Sequence, residues 1–187
     1  DETTYATGQS FTLYAYLTPA TSCSPSQLAA LLNDTYYVSA ALAPKVQQPG
    51  GNLGSFSFNG DTVRATQDMV WGDPPLERYL GNTASYDPND LAKHDIYETY
   101  FKEFSFKFKA AQKAVTYNTQ TDPVSNPTPS SSGGMYYMAF QVDTSLLSSS
   151  HSVHFDLYSE TVKTADIDVN KFAPFSHSAR SQAFKNA

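Results

Sequence analysis

The residues best suited to chemistry lie near the end of the chain. In TADIDVNKF, Asp166, Asp168 and Asn170 stand at alternate positions. Hard cations such as calcium take about six to eight oxygen ligands, and this spacing supplies several side-chain oxygens. It matches the first half of an EF-hand loop and then departs from it. Lys171 stands where the turn glycine belongs, and His177 where the bidentate glutamate belongs. The EF-hand is excluded. What remains is a calcium loop of another kind, or polar side chains at a strand end alternating with Ile167 and Val169 in a core. A second acidic cluster, DPNDLAKHD, gathers Asp87, Asn89, Asp90 and Asp95. These either surround a cation or serve a helical turn, with Asp87 capping, Pro88 opening it and Asp90 near its positive end. The WGDPPLE loop offers Asp73 and Glu77 on weaker terms.

Other chemistries find less support. There is no HExxH and no CxxC for zinc. His151 and His154 are three apart in a segment that reads as a strand, where such residues face opposite ways and cannot share a metal. No G-x-S-x-G elbow is present. Paired carboxylates for sugar hydrolysis would have to come from Glu98, Glu103, Asp156 and Glu160, and Glu103 and Asp156 are expected on water-facing sides of strands. A non-enzymatic protein is therefore expected.

These residues sit among segments that alternate with period two. SFTLYAYL (10–17) is apolar or aromatic on both faces and reads as a strand covered on both sides. SPSQLAALLN (24–33) reads as a short helix with a Ser24/Gln27 capping box and Pro25 at its first position. TYYVSAAL, FKEFSFKFK, MYYMAFQVD and SVHFDLYSE read as further strands. In the last, Val153, Phe155 and Leu157 are expected inward, with His154, Asp156 and Tyr158 outward. SFSFNGDTVRAT is a hairpin turning at Asn59-Gly60. Residues 68–95 read as irregular, and DPVSNPTPSSSGG as a polar loop.

This pattern predicts an all-β fold. The chain is expected to be one β-sandwich domain over 1–187, jelly-roll or Ig-like, with about seven to nine antiparallel strands, long loops and one or two short helices. The 13 Tyr and 12 Phe agree with it, since aromatics favour pleated surfaces. A net charge of −6 argues against nucleic acid as a partner. No apolar run is long enough to span a membrane. The single Cys23 does not settle the redox compartment.

Several aromatics lie opposite the expected core faces. Tyr14 and Tyr16, with Phe11, Leu13 and Leu17 of the same strand, are candidates for self-assembly, since a strand near the N-terminus can complete a neighbour's sheet. Trp71, Tyr37 and Tyr137 are candidates for a sugar-stacking platform. Burial under loops explains the same tyrosines equally well.

Taken together, QSFTLYAYLTP, DTYYVSAAL, GSFSFNGDTV, DMVWGDPPLE, KHDIYETYFKEFSFKF, MYYMAFQVDTS, HFDLYSE and DIDVNKFAPFSHSAR resemble the choice-of-anchor N family of exported bacterial proteins, associated with PEP-CTERM sorting. The resemblance implies an extracellular or outer-surface location and a C-terminal sorting tail that is apolar and then basic. The sequence closes on SQAFKNA, without an apolar stretch, so processing or release by another route is the expectation. The family contributes no catalytic residues. The expected function is that of a structural protein of the surface or matrix, with its own copies as partner and calcium as a candidate stabiliser. The alternative is a carbohydrate-binding or adhesin module that takes surface glycans.

Overall fold

The computed structural model describes residues 4–78, 83–84, 90–91, 95–119, 121–122, 126–162, 166–172 and 179–182. Asp87, Pro88, Asn89, His94 and His177 lie outside the described residues, so the helical turn expected at Pro88 does too.

In chain order the elements are β1 (Thr4–Tyr5), β2 (Ser10–Leu17), α1 (Pro25–Asn33), β3 (Tyr36–Ala43), β4 (Ser55–Phe58), β5 (Asp61–Arg64), β6 (Val70–Gly72), β7 (Leu76–Glu77), β8 (Thr83–Ala84), β9 (Thr99–Phe106), β10 (Lys113–Ala114), β11 (Met135–Asp143), β12 (Ser152–Val162), β13 (Ile167–Phe172) and β14 (Ala179–Arg180). Among the described residues they form a seven-stranded sheet, β1-β14-β12-β3-β9-β6 with β13 also on β12. A five-stranded sheet runs β10-β11-β4-β5, with β2 on the other side of β11. β7 and β8 form a small third sheet. The fold is the expected all-β sandwich. Two details differ: the described residues form fourteen strands where seven to nine were expected, because short pairings such as β6, β7 and β8 arise within the segment read as irregular, and β1 runs parallel to β14 over two residues.

Local chemistry explains the elements. Asn59 (φ 54°) and Gly60 (φ 94°) both take the positive φ that a two-residue hairpin turn demands between β4 and β5. At α1 the Gln27 amide donates to Ser24 Oγ, and the Ser24 amide donates to Gln27 Oε1 at 2.8 Å, which closes the capping box. The helix carries the chain from β2 in one sheet to β3 in the other, resting Leu28 and Leu32 on the core.

The sheets bury their inner faces on each other. Val38, Ala40 and Leu42 of β3 and Val153 and Phe155 of β12 meet Phe56 and Phe58 of β4 and Phe140 and Val142 of β11. The Phe58 ring stacks on Phe104 at 4.1 Å and on Phe140 at 5.1 Å, joining both layers. The inward positions of β12 are those its alternation predicts.

Candidate functional site

The outer face of the seven-stranded sheet departs from expectation. Alternation places Tyr37 and Ser39 of β3, Glu103 of β9, and His154, Asp156, Tyr158 and Glu160 of β12 opposite the core. Of these, Glu103 and Asp156 were expected in water. Instead His154 is 1% exposed, Asp156 3% and Tyr158 1%, and the side chain of Glu103 is 4% exposed. The reason is a lid. Described residues between β6 and β9 fold over this face and seat Leu76, Ile96 and Tyr97 on Ala41 and Phe101.

Polar groups complete the seal. Arg78 donates to Glu103 Oε2 at 2.5 Å and to Glu160 Oε2 at 2.6 Å. Its guanidinium also lies 4.4 Å from the centre of the Tyr37 ring. Glu103 Oε1 accepts from the Leu76 amide at 2.9 Å and the Tyr158 hydroxyl at 2.6 Å. A second chain of bonds runs through Asp156, which accepts from the Tyr97 hydroxyl at 2.9 Å and from His154 Nε2 at 3.1 Å. Because Tyr97 spends its proton on Asp156, Ser39 donates to the Tyr97 oxygen at 2.9 Å.

Burial dominates the electrostatics here. It pushes Glu160 up to about 7, aided by the Glu103 charge and opposed by Arg78. Glu103 is also raised by burial, against the pull of the Tyr158 hydroxyl, Arg78 and the Leu76 amide. Burial holds Tyr97 and Tyr158 well above the ordinary phenol range, so both stay neutral donors. These groups lie under the lid, with the Arg78 side chain still 35% exposed. As arranged, they fasten it.

On the other side of β7 three acids converge. Glu77, Asp90 and Asp166 each bring a carboxylate oxygen within 4.8 Å of the other two. Glu77 is 1% exposed, and its Oε1 accepts from the Ile167 amide at 3.3 Å. One member comes from each of the three acidic stretches singled out in the sequence. Asp168 and Asn170 are not part of the trio; Asn170 lies at the irregularity where the β12–β13 register shifts, and is exposed.

The five-stranded sheet shows the opposite treatment. β2 pairs with β11 from Ser10↔Asp143 to Leu17↔Tyr136 and, among the described residues, with no strand on its other side. The Thr144 amide donates to Gln9 O at 2.8 Å, which fixes which positions bond inward. By alternation, the main-chain groups of Ser10, Thr12, Tyr14 and Tyr16 point to the free edge. A cavity of about 290 Å³ lies beside them, between β2 and the β12–β14 border, lined by Leu13, Ala15, Val38, Phe155, Leu157 and Ala179 among others. Tyr14 stacks on Tyr16 and meets Tyr137 edge-on. The Tyr117 hydroxyl donates to that of Tyr16 at 2.7 Å, and burial raises Tyr16 far above the usual phenol range.

Of the self-assembly candidates, Phe11, Leu13 and Leu17 pack on this molecule's own core, while Tyr14 and Tyr16 face outward. β2 is thus consumed in its own sheet, and what it leaves available is its edge. The ligand-binding candidates do not share a surface. Tyr37 lies under Arg78 on the outer face of one sheet, and Tyr137 sits beside Tyr14 on the outer face of the other. Trp71 of β6 donates its Nε1–H to Val46 O at 3.0 Å. Arg78, Tyr97 and Ser39 were not singled out by sequence. Their signal was a strand whose outward residues, His154-x-Asp156-x-Tyr158-x-Glu160, are too rich in bulky hydrogen-bonding groups for a plain solvent face.

No family model matches the chain, and no curated protein or solved structure is significantly similar to it.

Proposed function

We propose that this is a non-enzymatic structural protein of the cell surface or extracellular matrix, whose copies join by strand addition at the free edge of β2. The observation that carries the reading is the edge itself. Over eight residues, SFTLYAYL, it holds no charge, no proline and no glycine. Exposed edges are normally blunted by such residues because unpaired main-chain groups recruit other strands. The apolar cavity alongside offers side-chain pockets to an added strand, the usual division of labour in such contacts.

The occupant is the segment ahead of β2 in a second copy. Among the described residues that segment is held by the β1–β14 pairing at Thr4 and Tyr5, by the Ala6 amide on Arg180 O and by Thr144 on Gln9 O, and Tyr5 is 51% exposed. Moving it to a neighbour sacrifices little. The contact joins two different surfaces, so head-to-tail repetition gives an open fibre wherever the rotation between copies does not close into a ring. The choice-of-anchor N resemblance agrees with a surface role.

Deleting residues 1–9 tests this, since β2 and its core contacts remain. Negative-stain microscopy and size-exclusion chromatography should show polymers for the full chain and monomers for the deletion. Polymers unchanged by the deletion refute the proposed occupant.

A second reading is favoured by Tyr14, Tyr16, Tyr117 and Tyr137, which cluster around β2. It takes the protein as a carbohydrate-binding or adhesin module with stacked sugars as ligand. A glycan array without signal removes it.

A further inference from the structure

Three acids from separate parts of the chain meet where the lid touches β13. Glu77 comes from β7, Asp90 from the segment after β8, and Asp166 from the residue before β13. Proximity of acids alone proves nothing, because exposed acids often cluster. Glu77 supplies the independent observation. It is 1% exposed, and while Oε1 has the Ile167 amide, Oε2 is buried without a hydrogen-bond partner among the described residues. A buried carboxylate oxygen with no donor is costly, and two neighbouring carboxylates make it more so. Arg78, the adjacent cation, is engaged with Glu103 and Glu160.

We propose that Glu77, Asp90 and Asp166 bind a hard divalent cation of calcium's size. The donor set is all oxygen, which selects against zinc and copper. Calcium holds its ligands at about 2.3–2.6 Å, so oxygens across the ion stand up to about 5 Å apart. All three oxygens lie within 4.8 Å of one another, inside that reach. Magnesium, at about 2.0–2.1 Å, demands a tighter set. The ion neutralises the buried Glu77 oxygen and ties the lid, through Glu77 and Asp90, to the strand that begins after Asp166. This site is separate from the β2 edge, and its test is read as ions bound per chain, whatever the state of assembly.

Chelator-treated protein is titrated with calcium chloride, then magnesium chloride, by isothermal calorimetry. The expected result is one calcium per chain, with magnesium weaker. Glu77→Gln and Asp166→Asn should each weaken calcium binding at least about 10-fold. Asp61→Asn, on the exposed tip of the β4–β5 hairpin, should bind as the unaltered chain does. Should Glu77→Gln fail to fold, Asp166→Asn carries the comparison, since Asp166 is only half-buried. No saturable calcium binding by the unaltered chain overturns the proposal. So does binding that survives Asp166→Asn at full strength.

Discussion

The two sheets treat their outer surfaces in opposite ways. The seven-stranded sheet carries acids, a histidine and tyrosines on its outer face, yet covers them with a lid and pairs them: Arg78 with Glu103 and Glu160, Asp156 with Tyr97 and His154. The five-stranded sheet carries tyrosines that touch one another, and leaves the β2 edge without a strand among the described residues. The first is finished within one molecule. The second has main-chain donors and acceptors to spare among the described residues. The polar groups of the first sheet are spent within the molecule; the proposed site of assembly is marked instead by main-chain groups without a strand partner among the described residues.

The largest expected effect comes from breaking the finished side. Arg78→Met leaves two buried carboxylates without their cation and should cost about 3–5 kcal/mol in denaturant unfolding. If the loss is under about 1 kcal/mol, Arg78 is not the clasp of the lid.

A smaller effect follows from pH. Glu160 titrates at about 7 in the folded protein, above the roughly 4.3 of an exposed glutamate. The folded state holds its proton more tightly, so this contribution is fully present in acid and is lost as pH rises from about 4.3 through about 7. Allowing for solvent screening, the unaltered chain should lose about 1–2 kcal/mol across that window relative to Glu160→Gln. Parallel stability curves for the two proteins would contradict the assignment.

The open side should respond least. Tyr117→Phe removes the bond to Tyr16 but no ladder contact, and should lower stability by only about 0.5–1 kcal/mol. A loss near that of Arg78→Met would erase the contrast between the two sides.

How much was legible in the sequence follows the same division. Strands β2, β11 and β12, the Asn59-Gly60 turn and the α1 capping box were readable because each rests on neighbours in sequence. The buried state of Glu103, His154, Asp156 and Tyr158 was not. Period-two alternation says which face a residue is on; it does not say whether water or a polar lid covers that face. Asp90 and Asp166 were visible as members of two separate clusters. Their meeting at Glu77 depends on where the lid lands, which strand order decides and local spacing does not. For β2, the alternation of aromatic and apolar residues announced two covered faces, but the free edge appears only once its one partner among the described residues is known.

The central claim, that the edge of β2 joins copies, meets its most direct test in Thr12→Pro. The Thr12 amide points away from β11, so proline removes a hydrogen-bond donor from the free edge and none from the sheet, in a position where edge strands tolerate it. The side-chain bond it also removes, to Gln141, is exposed. The account expects a variant with the melting temperature of the parent and no polymers under negative stain. Polymers as long and as abundant as those of the parent would contradict it.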